Sequence, residues 1–455
     1  MSQQTLNVFL DQIHRQHDYE SNHDNGKAIL LKKIYGEIPL DVDNNSYLSI
    51  FRENGRDIHN IALYPCKYIP ELPRWAIKRY SRENDIILDP FIGGGTTFIE
   101  AKKMRRNCLG IDYNPYAKLV SEVKSTPLKA NKLKQEYRAL LELIKKDDAS
   151  NLEKPNFKGV DFWFNSNVIV GLSKIKKHVN NIKDKEVKKF FLVAFSMVVR
   201  KSSYIAPGQM LCARRSDWRT IKQLTEDDTI NLFDSICNEY IAYMSAFYGL
   251  VSNEHYSQII GNDAREIKLP KNISYVDLII GSPPYINAMD YIWANRLRIH
   301  WLDLVKSDED RLNLYNFEIG TERISSSEYS QIGKLGIAEI DKTIEQIYHS
   351  HNSVQQSKLR ARVTYKYFLD MKKHFEAAYK ILKKGGRYCV VVGDNNIRKV
   401  RVPTSQYLTM IAESVGFKKE RQFQIILKSR SMNVDRNVDF ANKIDYDRMI
   451  VLMKE

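Results

Sequence analysis

The chain has 455 residues, of which 43% are hydrophobic and 27% are charged, a composition typical of a folded protein with more than one domain. No apolar run approaches the roughly 20 residues needed to cross a bilayer, and the N-terminus has no signal-peptide core, so we expect a cytoplasmic protein and no membrane partner. The net charge of +15 favours a polyanionic partner such as nucleic acid, although a merely soluble basic protein could carry it too. Five scattered cysteines form no C-x-x-C pair, so we predict neither a metal site nor a disulfide framework.

The N-terminal part of the chain leads into one clear supersecondary unit. Residues 1–60 are polar and mixed, and we interpret them as a helical or irregular extension. An aliphatic strand is predicted at 85–89, a glycine-rich turn at 90–97, a helix at 98–106 and a second strand at 107–112. Strand, turn, helix and strand in this order predict a βαβ unit of a parallel sheet.

The rest of the chain alternates between insertions and further strands. Strands are predicted at 256–260, 275–280, 387–393, 423–427 and 448–452, and a long amphipathic helix at 363–382. We therefore expect an α/β domain built from residues 61–125, 255–295 and 361–455. A helical insertion at 126–254 and a second insertion at 296–360 interrupt this domain.

The glycine turn and three aspartates indicate a ligand at one edge of the sheet. Gly93 and Gly95 let the backbone approach a ligand, but Phe98 stands where a dinucleotide fingerprint has its third glycine, so a nicotinamide or flavin site has weak support. Asp89, Asp112 and Asp263 each follow a predicted strand. Alone, each would be a cap or turn residue; together they converge on the crevice where open parallel sheets bind ligands. They favour a ligand that contains adenosine and a polar or cationic tail.

A second motif follows the strand at 275–280, where the sequence reads GSPPY. Two prolines end the strand and fix a rigid corner between Ser282 and Tyr285. DPFIGGGTT resembles the first motif of the S-adenosylmethionine-dependent DNA amino-methyltransferases, and GSPPY resembles their catalytic motif. The stretch from Tyr64, YPCKYIPEL, is similar to the segment that in this family folds over the methionine end of the cofactor. The resemblance implies a Rossmann-like methyltransferase fold, with a mostly parallel seven-stranded sheet and large helical insertions.

The resemblance also implies roles for individual residues. Ser282 and the carbonyl of Pro283 would accept hydrogen bonds from an exocyclic amino group, Pro284 would keep the corner rigid, and Tyr285 would stack on a base flipped out of the duplex. Binding of S-adenosylmethionine would fall to a set of residues around the glycine turn and the strand ends: Tyr68, Asp89, Phe91, Gly93, Gly95, Thr96, Thr97, Asp112, Asn114, Asp263 and Ala264.

The acceptor is expected to be double-stranded DNA, with cytosine N4 favoured because Ser282 stands where adenine-N6 enzymes more often have Asp or Asn. Adenine N6, an RNA amino group (guanine N2 or adenine N6) and a non-catalytic nucleic-acid-binding subunit are the alternatives. Covalent C5-cytosine chemistry is rejected, since the Pro65-Cys66 pair lies upstream of the glycine turn and SPPY occupies the expected position.

Contacts to DNA are expected from a basic patch in the first insertion, with Arg200, Lys201, Arg214, Arg215 and Arg219. For each of them a solvated loop side chain is an equally good interpretation. Asp290, Tyr291 and Trp293, just past SPPY, could line a flipped-base pocket or pack the following helix. A restriction endonuclease, if one accompanies the protein, is expected to be a separate chain, and the sequence does not indicate an oligomeric state.

Overall fold

A computed structural model describes residues 19–24, 27–51, 55, 57–150, 152, 154–155, 157–286, 289–350, 354–426 and 446–455. Within these residues one sheet has ten strands, in the order β1-β2-β3-β11-β12-β8-β7-β4-β5-β6. Its strands are β1 (Tyr19–Asp24), β2 (Lys27–Tyr35), β3 (Tyr47–Phe51), β4 (Ile86–Asp89), β5 (Asn107–Ile111), β6 (Ser257–Gly261), β7 (Val276–Gly281), β8 (Leu382–Val392), β11 (Phe417–Ile426) and β12 (Tyr446–Lys454). A short hairpin of β9 (Asn395–Ile397) and β10 (Val400–Val402) is separate.

Seven of these strands, from β11 to β6 in the sheet order, form a mostly parallel sheet. Strands β4 to β8 run parallel to their neighbours among themselves, and β12 runs antiparallel between β8 and β11. The α/β fold and this seven-stranded sheet confirm the predicted fold class. From β4 the chain proceeds outward to β5 and β6, and β7 then returns to the other side of β4. The carboxyl ends of β4 and β7 therefore flank the switch point at which such sheets bind ligands.

The described residues contain fourteen α-helices, and most of them lie in the two insertions. They are α1 (Glu71–Tyr80), α2 (Thr96–Lys103), α3 (Pro115–Ser125), α4 (Ala130–Lys146), α5 (Val160–Trp163), α6 (Ser166–Asn180), α7 (Lys185–Ser202), α8 (Glu226–Tyr248), α9 (Tyr291–Ala294), α10 (Arg296–Trp301), α11 (Asp308–Asn313), α12 (Ala338–Tyr348), α13 (Val354–Ile381) and α14 (Thr404–Val415). None of these helices is long and apolar enough to span a membrane.

The helices of the first insertion share one apolar core with α3 and with residues 292–302. Helix α7 is buried along almost its whole apolar length, from Phe190 to Val199, because α3, α6, α8 and α10 pack around it. A helix that is apolar on most of its circumference needs such cover on several sides. The aspartate side chain of Asp184 caps its start by accepting hydrogen bonds from the amides of residues 186 and 187. The insertion is thus a helical bundle that packs on α3, the helix that follows β5.

The N-terminal extension differs from the prediction. A helical or irregular segment was expected for residues 1–60, but β1, β2 and β3 lie there and extend the sheet beyond β11. In β2, Leu31 and Ile34 are buried, while the lysines between them are not. Buried residues three positions apart do not show the alternation by which a strand is recognised in a sequence. Pairing with the free edge of β3 decides the conformation instead. Residues 1–18 of the extension lie outside the described residues.

Candidate active site

The Asp89 carboxylate organises the turn between β4 and α2. One oxygen accepts from the Phe91 amide at 2.9 Å, and the other accepts from the Tyr68 hydroxyl at 2.9 Å and from the Thr97 hydroxyl. Asp89 is 1% exposed, and burial raises its pKa to about 6 against the lowering effect of these three donors. Its carboxylate is therefore committed to the loop's own donors, one of the two roles that the sequence allowed.

The glycine turn needs its glycines for two separate reasons. Gly93 and Gly95 both have left-handed backbones, with φ of 48° and 80°. A Cβ on Gly95 would also lie 2.8 Å from the Cα of Ser121 in α3, whereas a Cβ on Gly93 would meet the Tyr64 ring at 3.3 Å. From beneath, the buried ammonium of Lys124 donates to the Gly94 carbonyl at 3.1 Å. The turn is thus held tightly against α3 and keeps its other side open.

Asp112 closes the same turn from the end of β5. Its Oδ2 accepts from the Gly93 amide at 2.9 Å, and its Oδ1 accepts from the Asn114 amide at 2.8 Å. Burial raises the pKa of Asp112 to about 6, and these two amides act in the opposite direction. Asn114 in turn caps α3 by accepting from the Tyr116 amide at 3.0 Å. Asp89 and Asp112 therefore both accept hydrogen bonds from the glycine turn, Asp89 from Phe91 and Thr97 and Asp112 from Gly93.

Asp263 is placed differently from the other two aspartates. Its carboxylate forms a two-pronged ion pair with Arg265, with Nε at 2.9 Å and Nη2 at 2.8 Å, and Arg265 also contacts Asp370 at 3.1 Å. The neighbouring Asn262 and Ala264 line the cavity, but Asp263 does not. Of the three aspartates expected to face one crevice, Asp112 lines the cavity, whereas the carboxylates of Asp89 and Asp263 are held by neighbouring donors, and the role of Asp263 toward a ligand stays a prediction.

The Ser-Pro-Pro-Tyr corner packs directly against the glycine turn. Gly281, which ends β7, has room for no side chain because a Cβ there would lie 3.1 Å from Pro90. Ser282 and Pro284 line the cavity, while Pro283 is buried between them. The Tyr285 hydroxyl donates to Asp447 on β12 at 2.7 Å, and this bond fixes the direction of the ring. The corner is therefore anchored at both ends.

One open cleft joins the two motifs and encloses about 710 Å³ of space outside the protein atoms, including the solvent at its mouth. Eight of the predicted site residues line it: Tyr68, Phe91, Gly93, Thr96, Asp112, Ala264, Ser282 and Pro284. The remaining predicted residues support the wall without lining it: Asp89, Gly95, Thr97, Asn114, Asp263, Pro283 and Tyr285. The structure thus brings the methyl-donor motif and the SPPY corner to one space.

Thirteen further residues line the cavity without having been predicted as site residues, among them Tyr64, Tyr291, Phe317 and Ile319. Tyr64 stands against the glycine turn, with its ring 6.4 Å from that of Tyr291 and nearly parallel to it. Tyr291 lines the cavity, whereas Asp290 caps α9 and Trp293 donates to the Cys212 carbonyl at 3.2 Å. Phe317 and Ile319 come from the second insertion, more than 200 residues after the glycine turn, and no local sequence pattern marks them.

The basic patch of the first insertion is only partly available to a partner. Arg200 donates to the Gln209 carbonyl, and Arg215 pairs with Asp217 at 2.7 Å. Arg214 lies between the Phe162 and Trp218 rings, 4.0 Å and 3.5 Å from their centroids. The side chains of Lys201 and Arg219 are exposed. Through Cys212, this patch rests on α9, the helix that follows the SPPY corner.

The chain is similar in sequence to DNA methylases and to Type II methyltransferases. A family model described as DNA methylase, of the N6/N4 type, matches residues 8–122, which include the glycine turn. The Type II methyltransferase M.MvaI of Kocuria varians is 26% identical over 80% of this chain and 82% of its own length. The Type II methyltransferase M.BsoBI of Geobacillus stearothermophilus is 23% identical over 94% of this chain and 92% of its own length. A solved S-adenosylmethionine-dependent methyltransferase from Methanosarcina mazei is 10% identical, with a TM-score of 0.30 over 83% of this chain and 96% of that chain.

Proposed function

We propose that this chain is an S-adenosylmethionine-dependent DNA amino-methyltransferase, and that it methylates N4 of cytosine in duplex DNA. The observation that carries the proposal is the shared cavity, which has the glycine turn and Asp112 on one side and Ser282 with Pro284 on the other. A base held at the corner is thereby placed beside a donor held at the turn. Proximity and fixed orientation supply much of the rate gain in such a transfer.

The donor-binding residues fit a nucleoside with a polar tail. The Asp112 carboxylate, at the end of β5, faces the cavity and can accept from ribose hydroxyls, while the left-handed Gly93 leaves the wall free of a side chain. The Tyr68 hydroxyl, held by Asp89, lies on the same wall. When bound, S-adenosylmethionine supplies an electrophilic methyl group on a sulfonium.

The acceptor side needs only hydrogen-bond acceptors and a stacking face. The Ser282 hydroxyl and the Pro283 carbonyl accept from the two N–H groups of the amine, which frees its lone pair from the ring. With the donor bound, the nitrogen would form a bond to the methyl carbon as the carbon–sulfur bond breaks, the neutral thioether S-adenosylhomocysteine would leave, and the nitrogen would lose one proton to water. Cys66 lines the cavity with an exposed side chain, but it precedes the glycine turn in the chain, and the rigid SPPY corner occupies the position after β7, which supports an amino acceptor over covalent attack on the ring.

We assign DNA contact to the exposed cations of the first insertion, Lys201 and Arg219, because the loop that carries Arg219 rests on α9 beside the corner. The other arginines of the patch, Arg200, Arg214 and Arg215, hold the loop's shape in this proposal. By the same proposal the protein serves a restriction-modification system, and its nuclease is a separate chain.

Purified protein, labelled S-adenosylmethionine and duplex DNA test the proposal. Label in DNA, with sequencing that maps it to N4 of cytosine, is the expected result; label on adenine N6 would correct the base, and label in RNA alone would overturn the DNA assignment. Ser282→Ala should lower turnover by roughly 100-fold while donor affinity stays unchanged. Loss of donor binding in this variant would contradict the role given to Ser282.

A further inference from the structure

The second insertion sends one short segment to the cavity. This segment, residues 314–319, consists of the 3-10 helix Leu314–Phe317 and the two residues after it. Phe317 and Ile319 line the cavity, although Ile319 is only 3% exposed and Phe317 is 39% exposed. The 314–319 segment therefore presents one packed and one open side chain to the same space.

Three pairs of hydrogen-bonded residues hold the 314–319 segment to parts of the chain that surround the site. The Tyr113 hydroxyl donates to Glu318 Oε1 at 2.6 Å, and Arg265 donates to the Asn316 carbonyl at 2.7 Å. The Tyr315 hydroxyl donates to both carboxylate oxygens of Asp290, at 2.7 Å and 2.8 Å. These partners follow β5, β6 and β7, so the segment is fixed at the carboxyl ends of three strands.

We propose that the 314–319 segment forms the outer wall of the methyl-donor cavity, and that Glu318 is a positioning residue which orients Tyr113 beside the donor's adenosine. Tyr113 lines the cavity and directly follows Asp112, the residue placed to accept from the ribose, so its ring lies next to the nucleoside. This inference rests on the proposed function, since it assumes that the cavity holds S-adenosylmethionine.

A purely structural role would not call for a carboxylate at this position. Glu318 is 6% exposed, and a buried carboxylate is costly when an apolar side chain of similar size could fill the space. Its neighbours include a second carboxylate, Asp290, one guanidinium, Arg323, and Thr321, which also hydrogen-bonds Glu318 from within the second insertion; Tyr113 is the hydrogen-bond partner that lines the cavity. The acceptor that Glu318 offers to Tyr113 gives a reason for its presence.

Calorimetry with S-adenosylmethionine tests the inference on the full chain. Glu318→Ala and Tyr113→Phe each remove the hydrogen bond, and each should raise the dissociation constant by roughly 3- to 10-fold. Glu318→Gln keeps an acceptor and should stay within about twofold of the wild type. The double variant E318A/Y113F should be no worse than either single variant, because the two residues share one interaction.

Kinetics separate positioning from general damage. The KM for the donor should rise in Glu318→Ala, while kcat at saturating donor and DNA changes by less than about twofold. Wild-type affinity in both Glu318→Ala and Tyr113→Phe would overturn the inference and leave the proposed function intact. Failure of the wild type to bind the donor would instead overturn both. If Glu318→Ala does not fold, Tyr113→Phe decides alone.

Discussion

Replacing Gly95 by alanine tests how the glycine turn is built. Gly95 begins α2 with a left-handed backbone, and its missing side chain would point at the backbone of α3. Alanine would pay about 1–2 kcal/mol for the left-handed conformation alone. The added Cβ would also lie 2.8 Å from Ser121 Cα and 2.9 Å from its Cβ, contacts that a backbone atom cannot relieve by changing rotamer. Overpacking of this kind costs about 1–3 kcal/mol.

Gly336→Ala is the matched control. Its φ of +86° is close to the +80° of Gly95, but no atom lies within 4 Å of the Cβ that the substitution adds. Gly336→Ala should therefore lose only the conformational part, about 1–2 kcal/mol, and Gly95→Ala about 2–5 kcal/mol. The difference between the two isolates the close packing of the turn on α3.

Urea unfolding measures this difference, and calorimetry with S-adenosylmethionine measures its consequence for the site. The midpoint should fall further for Gly95→Ala than for Gly336→Ala, with equal slopes. Donor affinity should drop only in Gly95→Ala, since the displaced turn carries the Gly93 amide that Asp112 accepts from. Equal midpoints for the two variants would refute the packing argument, and an intact donor affinity in Gly95→Ala would refute the link to the site.

Three further predictions concern the aspartate, the tyrosine and the arginine of the proposed machinery. Burial raises the pKa of Asp112 from about 4 in the unfolded chain to about 6 in the folded protein. The stability that the protonated Asp112 carboxyl contributes is therefore present below about pH 4 and is lost as the pH rises through about 6. Asp112→Asn removes this titration and should lessen the fall of the urea midpoint between about pH 5 and 7. Tyr285→Phe removes the bond to Asp447, and we expect single-turnover methyl transfer to slow by roughly 3- to 10-fold with donor affinity unchanged. Arg219→Ala should reduce the salt dependence of DNA binding by about one released ion. Arg105 is an exposed arginine outside the insertion, and Arg105→Ala should leave that salt dependence unchanged. Equal slopes for the two variants in filter-binding titrations would contradict the assignment.

The glycine turn and the SPPY corner could be recognised from the sequence because each is formed by residues that lie close together along the chain. The predicted strand, turn, helix and strand at 85–112 are confirmed by β4, α2 and β5, since an aliphatic run, a cluster of glycines and a short amphipathic run act over a few residues each. The strand before GSPPY is likewise confirmed by β7. The same reasoning failed for β2 and β3, whose apolar spacing is weak: β2 pairs with β3, and β3 pairs with β11 from the far end of the chain.

By itself, then, the sequence determined the fold class, the glycine turn, the rigid corner and the family that both motifs resemble, because proline, glycine and aliphatic runs restrict the backbone wherever they occur. Only the tertiary structure decided which side chains meet. Arg265 joins Asp263 to Asp370, 105 residues apart from Arg265 in the chain, and Phe317 and Ile319 reach the cavity from the second insertion. Such contacts join side chains that are neighbours in space but far apart along the chain, so no local sequence pattern marks them.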